Sequence, residues 1–113
     1  DFYSYNAKYI DEHGATLIVP ADISIDASNR LREIAIRTFK VLGCEGMARV
    51  DFFMTEDGNI LVNEINTIPG FTNVSVYPLL WQASGVSYSD LIGQLIQLAI
   101  ERHSRETKLR TSL

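Results

Sequence analysis

Acidic and amide side chains occur at an unusual place in this sequence, inside two apolar runs that flank a turn signal. Asp51 lies within RVDFFM, and Glu64 and Asn66 lie within ILVNEIN. Asp57-Gly58 between the runs is typical of a two-residue hairpin turn, whose central positions both need a positive φ. The sequence therefore predicts a β-hairpin from 46 to 66 with carboxylates in both strands.

The register of this hairpin decides whether the polar side chains meet. If Asp57-Gly58 is the whole loop, the register follows by counting outward along both strands. The predicted cross-strand pairs are Arg49 with Asn66, Asp51 with Glu64, and Phe53 with Val62. Because side chains alternate along a strand, the four polar residues then project from one face. A loop one residue longer would break this parity.

Two directly opposed carboxylates repel each other, since their Cβ atoms are about 5 Å apart. A cation between them would remove this cost. Together with Asn66, they offer only oxygen ligands, which suit Mg²⁺ bound jointly with substrate phosphates. Two other interpretations stay open. In the first, Arg49 neutralises Glu64 diagonally in a structural ladder. In the second, the carboxylates form the acid–base pair of a glycoside hydrolase, which leaves Arg49 and Asn66 without a role.

The segment after the hairpin suits a charged ligand. Pro69-Gly70 allows the backbone to turn sharply and to approach a ligand closely. A helix is expected to begin between Ser75 and Pro78, and the N–H groups of its first turn suit an anion.

Three segments of the chain resemble one enzyme family. GMARVDFFM, LVNEINTIPGFTNVS and DFYSYNAKY are similar to the C-terminal part of D-alanine–D-alanine ligases, which are ATP-grasp enzymes. The block N-E-x-N-T-x-P-G-F-T, with R-x-D one hairpin strand earlier, is the most specific part. The resemblance implies an α+β fold, namely the C-terminal lobe of the ATP-grasp fold, in which helices pack on an antiparallel sheet.

The resemblance also implies roles for the polar residues of the hairpin. Asp51, Glu64 and Asn66 match residues that hold two Mg²⁺ ions, with Mn²⁺ as an alternative, at the phosphates of ATP. Arg49 and the backbone N–H of Gly70 match the groups that stabilise the tetrahedral intermediate. Such fixed donors form an oxyanion hole, placed where negative charge develops.

Further residues match positions around the substrates. The residues implied in nucleotide binding are Phe2, Lys8, Phe53 and Asn63. Tyr9 and Ser75 match residues that close over the substrates, with Ser75 near the carboxylate of the second D-alanine. Relatives that use D-lactate usually carry His near the position of Tyr9, so this Tyr favours the dipeptide-forming type.

The implied activity is ATP-dependent joining of two D-alanine molecules through an acyl phosphate, for peptidoglycan synthesis. The partners implied are ATP and D-alanine, and the intact enzyme is expected to be a cytoplasmic homodimer. Two alternatives remain. The first is another ATP-grasp carboxylate–amine ligase or a D-alanine–D-lactate ligase, and the second is a non-catalytic fragment that binds a divalent ion.

The composition limits other classes of function. A net charge of −4 gives no reason to expect nucleic-acid or membrane partners. No apolar run approaches the roughly 20 residues of a membrane span. The lone Cys44 suits a reducing compartment. The family has two further lobes, so the chain is expected to be about a third of an enzyme and inactive alone.

The remaining segments are predicted to be scaffold. The sequence predicts a lobe over residues 1–104 and a flexible tail over 105–113. GATLIVPADIS favours a strand that ends at Pro20. A helix is predicted over 27–42, with Asp26 as its N-cap and Gly43 as its stop. Two more helices are predicted, one closed by Gly85 and one begun by a capping box at Ser87.

Overall fold

The computed structural model describes residues 16–112. In chain order its elements are helix α1 (Ile25–Val41), strands β1 (Arg49–Met54) and β2 (Ile60–Asn66), helix α2 (Val76–Ala83) and helix α3 (Tyr88–Ser112). The strands form a two-stranded antiparallel sheet. Helix α1 lies against β2, and α2 packs against α3. The α+β class predicted from the sequence is confirmed.

Helix α1 begins at a different cap from the one predicted. The hydroxyl of Ser24 accepts a hydrogen bond from the N–H of Ala27 at 3.1 Å, which makes Ser24 the N-cap. The prediction of Asp26 was therefore wrong. Asp26 lies in the first turn, where its negative charge is still favoured by the helix dipole.

Glycines end the first two helices. Gly43 has a φ of 68°, and its N–H donates to Lys40 O at 3.1 Å while the N–H of Cys44 donates to Phe39 O at 3.0 Å. This pair of bonds is a Schellman motif, which needs a left-handed residue at its turn. Gly85, with a φ of 93°, ends α2 in the same way. Both predicted stops are confirmed.

The hairpin loop is one residue longer than predicted. Thr55 N–H donates to Asn59 O at 2.9 Å, and Asn59 N–H donates to Thr55 Oγ1 at 3.0 Å, so the loop is Glu56, Asp57 and Gly58. Gly58 has a φ of 85°, as the last residue of a three-residue hairpin loop requires. The prediction of a two-residue turn was wrong because Thr55 closes the loop through both its backbone and its hydroxyl.

A bulge in β2 offsets the extra loop residue. Next to the loop Phe53 pairs with Leu61, so the predicted pair of Phe53 with Val62 was wrong. The register then shifts between Phe52 and Asp51, where Asn63 is the additional residue of β2. Beyond the bulge the pairs are those predicted: Asp51 with Glu64 and Arg49 with Asn66.

The predicted strand before α1 does not form in the described residues. Gly14 and Ala15 of that prediction lie outside them, and residues 16–24 have no strand assignment. In the part of the chain that the structure describes, the sheet consists of β1 and β2 alone. An apolar run becomes a strand only when a neighbouring strand satisfies its backbone groups.

Helix α3 continues past Ser104, where the sequence favours a frayed tail. Glu45, in the connection after α1, binds Arg105 at 2.6 Å and Arg102 at 3.0 Å. Arg102 also pairs with Glu106 at 3.1 Å, one turn along the helix. These ion pairs support helical structure beyond residue 104. The division of the chain into a lobe and a flexible tail stays a prediction.

Among the described residues, the buried side chains lie where the loop after β2 meets α2 and α3. Tyr77 and Leu91 are buried, and Pro78 is fully buried. The ring of Phe71 lies 6.0 Å from that of Tyr77 and 5.4 Å from that of Tyr88. The hydroxyl of Tyr88 donates to the carbonyl of Phe71 at 3.0 Å, which fixes the loop to the start of α3.

Elsewhere, many apolar side chains of the helices are exposed. Leu42 at the end of α1 is 60 % exposed, and Ile96 in α3 is 56 % exposed. Of the apolar side chains of α3, Leu91 alone is buried among the described residues. No helix in residues 16–112 has both the length and the apolar character needed to cross a membrane.

The ion pairs of Glu45 predict a pH-dependent contribution to stability. The hydrogen bond from Arg105, followed by the charges of Arg105 and Arg102, lowers the pKa of Glu45. A lowered folded-state pKa means that stability is present above the ordinary value of about 4.3 and is lost as the pH falls through the folded value. Glu45→Gln should therefore lower the melting temperature slightly at pH 7, and the difference should vanish at pH 2. An equal difference at both pH values, measured by circular dichroism, would contradict this.

Candidate functional site

Three charged side chains converge at the end of the hairpin farthest from its loop. Arg49 and Asp51, two residues apart in β1, share one face of the strand. Arg49 Nε lies 2.9 Å from Asp51 Oδ1, and Arg49 Nη2 lies 3.0 Å from Asp51 Oδ2. Arg49 Nη2 is also 3.9 Å from Glu64 Oε1 across the hairpin. The guanidinium thus lies between two carboxylates, as the predicted pairing implies.

The three side chains of this cluster differ in their exposure to solvent. The side chain of Arg49 is 18 % exposed, that of Asp51 is 33 % exposed and that of Glu64 is 58 % exposed. One positive charge faces two negative charges, so the cluster keeps one net negative charge at its solvent side. A cation that arrives from solvent would meet the Glu64 carboxylate first.

Asn66 shapes the backbone that leaves the sheet. Its side-chain oxygen accepts a hydrogen bond from the N–H of Ile68 at 3.1 Å, which forms an Asx-type turn. An amide oxygen has two lone pairs, so this contact leaves capacity for a second partner. Asn66 therefore directs the following loop and can also contribute a ligand oxygen.

The donor set fits a hard divalent cation that is bound together with phosphate. Asp51, Glu64 and Asn66 supply oxygen atoms only, and oxygen ligands are those of Mg²⁺. The described residues contain no group of three or more His, Cys, Asp or Glu side chains that could hold a metal ion. Two carboxylates are too few for a closed protein cage, but they suit Mg²⁺ whose other ligands are waters and substrate phosphates.

The second part of the site lies in the loop between β2 and α2. A Cβ atom at Gly70 would lie 3.2 Å from Ser75 Oγ, which is closer than ordinary van der Waals contact. Ser75 is only 8 % exposed, so its hydroxyl lies beneath the Gly70 backbone. A side chain at position 70 would cover this hydroxyl, and glycine does not.

Thr72 is a residue of this loop that the sequence analysis missed. Ser75 Oγ accepts from the N–H of Thr72 at 2.9 Å and lies 2.7 Å from Thr72 Oγ1. The T-x-x-S spacing, followed by Pro78 three residues after Ser75, is the sequence signal for this contact. Pro78 removes one of the two N–H groups that could donate to a serine at this N-cap, and the serine hydroxyl bonds to Thr72 instead.

The structure says less about the roles of the other predicted site residues. Phe53 follows Asp51 by two positions in β1 and is 61 % exposed, and Asn63 is the exposed bulge residue of β2. Phe2, Lys8 and Tyr9 lie outside the described residues, so their assignments stay predictions.

The chain is similar to proteins of known activity. A family model described as "D-ala D-ala ligase C-terminus" matches residues 1–97. The D-alanine–D-alanine ligase of Shouchella clausii is 60 % identical over 112 residues, which are 99 % of this chain and 30 % of that protein. The chain thus spans about three tenths of the length of this curated relative.

Solved structures give the same result. The D-alanine–D-alanine ligase of Coxiella burnetii superimposes with a TM-score of 0.79 and 52 % identity, over 81 % of this chain and 26 % of that one. The D-alanine–D-alanine ligase of Bacillus anthracis, solved in complex with ATP, gives 0.69 and 27 % identity over 75 % of this chain and 30 % of that one. These likenesses confirm the predicted C-terminal lobe of the ATP-grasp fold.

Proposed function

This chain belongs to the D-alanine–D-alanine ligase C-terminus family, and we propose that it supplies metal-binding and acyl-transfer residues to an ATP-dependent ligase that joins two D-alanine molecules. The observation that carries the proposal is the opposed pair Asp51 and Glu64, with Arg49 between them. Because the chain spans about 30 % of its curated relative, we propose that it works within a longer polypeptide and is inactive alone.

The proposed reaction has two steps. A carboxylate oxygen of the first D-alanine attacks the γ-phosphorus of ATP, which forms an acyl phosphate and releases ADP. The amine of the second D-alanine then attacks the acyl carbon, loses a proton and displaces phosphate, which leaves D-alanyl-D-alanine for peptidoglycan synthesis. Phosphoryl transfer of this kind depends mainly on positioning and on compensation of negative charge.

Asp51, Glu64 and Asn66 are the residues that would hold Mg²⁺, or Mn²⁺ in its place. The support for this assignment is their all-oxygen composition and the solvent-facing carboxylate of Glu64. When bound, the ions neutralise charge on the transferring phosphoryl group. The number of ions, two, remains an expectation from the family resemblance.

Arg49 and Gly70 are assigned to the acyl-transfer step. Two hydrogen bonds from Arg49 to Asp51 hold the guanidinium in a defined orientation before substrate binds. A preorganised cation loses little energy on reorientation when negative charge develops on the acyl oxygen. The backbone N–H of Gly70 is the proposed second donor, and the missing side chain at that position permits close approach.

The remaining assignments rest on the resemblance. Phe2, Lys8, Phe53 and Asn63 are proposed to contact the nucleotide. Tyr9 is proposed to close over the substrates and favours D-alanine over D-lactate as the acceptor. Because the reaction consumes ATP, we propose a cytoplasmic enzyme. Assembly of the intact enzyme as a homodimer is an expectation of the same kind.

The direct test is product formation by the full-length ligase that carries this chain. With ATP, Mg²⁺ and D-alanine, we expect equal amounts of ADP, phosphate and D-alanyl-D-alanine. ATP turnover that requires another acceptor would contradict the assigned substrate but would not affect the assignment of the fold. Dipeptide made by this chain alone would contradict its dependence on the rest of the enzyme. Tight Mg²⁺ binding without any nucleotide turnover would favour a non-catalytic metal site.

Substitution of either carboxylate tests the metal assignment. In the full-length enzyme, Asp51→Asn or Glu64→Gln should abolish turnover while the circular dichroism spectrum stays unchanged, because each substitution removes one charged ligand and keeps the side-chain shape. Glu56→Gln, in the exposed loop of the same hairpin, is the matched control and should retain activity. Near-normal activity in both site variants would refute the metal assignment.

Arg49 should affect the rate more than substrate affinity. Arg49→Ala should lower kcat by about 10²–10³-fold, the loss typical of removing an oxyanion donor. Arg49→Lys should recover little of this loss, because lysine lacks the planar fork that binds Asp51 in two places. Arg37→Ala, at an exposed position of α1, serves as the control. A rise in KM at unchanged kcat would mean that Arg49 only binds substrate.

A further inference from the structure

Ser75 occupies the N-cap position of α2, but its side chain does not cap the helix. Its backbone has the extended conformation of an N-cap, with φ −72° and ψ 150°, and no side-chain capping hydrogen bond is present. A capping serine accepts from the N–H of the second or third helical residue. The third residue here is Pro78, which has no N–H. The Ser75 hydroxyl contacts Thr72 instead.

Thr72 holds this hydroxyl at two points. Its backbone N–H donates to Ser75 Oγ at 2.9 Å, and its own hydroxyl lies 2.7 Å from the same atom. The N–H of Val74 approaches Thr72 Oγ1 at 3.4 Å and offers that oxygen a donor. The loop is held in turn by the bond from Tyr88 to the carbonyl of Phe71. Ser75 Oγ therefore has a fixed position, set mainly by Thr72.

The direction of the bond between the two hydroxyls follows from a count of protons and lone pairs. A serine oxygen accepts two hydrogen bonds and donates one. When the N–H and the O–H of Thr72 both donate to Ser75, the two lone pairs of Ser75 are used, and its hydrogen remains for a ligand. In the opposite direction Ser75 would present a lone pair, which repels an anion. An anionic ligand therefore selects the first arrangement.

The family resemblance implies that Ser75 lies near the carboxylate of the acceptor D-alanine, and the direction of the bond from Thr72 suits such a ligand. The hydroxyl of Ser75 lies close to the Cα of Gly70, and a side chain at position 70 would crowd it. A neutral donor held in place makes its strongest hydrogen bond to a charged acceptor such as a carboxylate. The acceptor amino acid of the proposed reaction carries such a carboxylate, whereas its reacting group is an amine.

We propose that Thr72 is a positioning residue that sets the Ser75 hydroxyl as a donor to the carboxylate of the acceptor D-alanine. The inference rests on the proposed function, since that function defines the acceptor. Thr72 acts through Ser75 and is not assigned any contact with the reacting atoms.

The test is a comparison of Thr72→Val with Thr72→Ser in the full-length ligase. Valine keeps the backbone N–H and the side-chain shape but removes the hydroxyl. We expect the KM for the acceptor D-alanine to rise about tenfold, as for the loss of one hydrogen bond to a charged group. The KM for ATP should stay unchanged. Serine retains the hydroxyl and should restore the acceptor KM.

A double-mutant cycle separates positioning from a general structural effect. In a Ser75→Ala background, Thr72→Val should cause no further rise in acceptor KM, because the hydroxyl that it orients is gone. Thr38→Val is the matched control. Its hydroxyl bonds to the carbonyl of Ile34 within α1, and its loss should leave the acceptor KM unchanged. Thr72→Ala provides a second variant without the hydroxyl if the valine variant does not fold.

Three outcomes would overturn the proposal. They are an unchanged acceptor KM in Thr72→Val and Thr72→Ala, effects of Thr72 and Ser75 that simply add, and failure of Thr72→Ser to restore the KM. If the proposed function itself is wrong, the result is distinguishable, because the unsubstituted ligase then forms no D-alanyl-D-alanine. A ligase that makes dipeptide but shows additive effects refutes the positioning role alone.

Discussion

The placement of Asp51 directly opposite Glu64 is the constraint on which the hairpin depends. Two negative charges paired across a sheet destabilise it unless a positive charge compensates. Arg49 supplies part of that charge through two bonds to Asp51 and a longer contact to Glu64. Among the residues that the structure describes, this cluster keeps one net negative charge, at the more exposed carboxylate of Glu64. A hairpin built only for stability would carry apolar or oppositely charged residues at this pair.

The pairing of these residues was predicted correctly, although two of its supporting details were not. The two-residue turn was wrong, and counting outward from it made no allowance for a bulge. The two errors cancel because each changes the count by one residue. Alternation of apolar and polar residues indicates which face a side chain occupies, but it does not show where a strand takes up an extra residue. Asn63 has no distinguishing feature in the sequence that marks it as the bulge.

Other differences between sequence and structure have local causes. Ser24 and Asp26 are both good N-cap residues, so propensity alone does not select between them. The apolar run before α1 satisfies the pattern of a strand, but pattern does not supply a neighbouring strand. The glycine stops at Gly43 and Gly85 were predictable because a left-handed residue at a helix end strongly favours glycine. The contact of Thr72 with Ser75 depends on loop geometry, which periodicity does not describe.

The roles proposed for Arg49 and the acids are compatible only if their charges are rebalanced during the reaction. In this structure the guanidinium compensates Asp51 and, more weakly, Glu64. A cation held by the two carboxylates would take over part of that compensation. Because a guanidinium carries five N–H donors, its two bonds to Asp51 can keep it oriented while it also donates to an acyl oxygen that gains negative charge. In this scheme one arrangement of three side chains would serve both ion binding and acyl transfer.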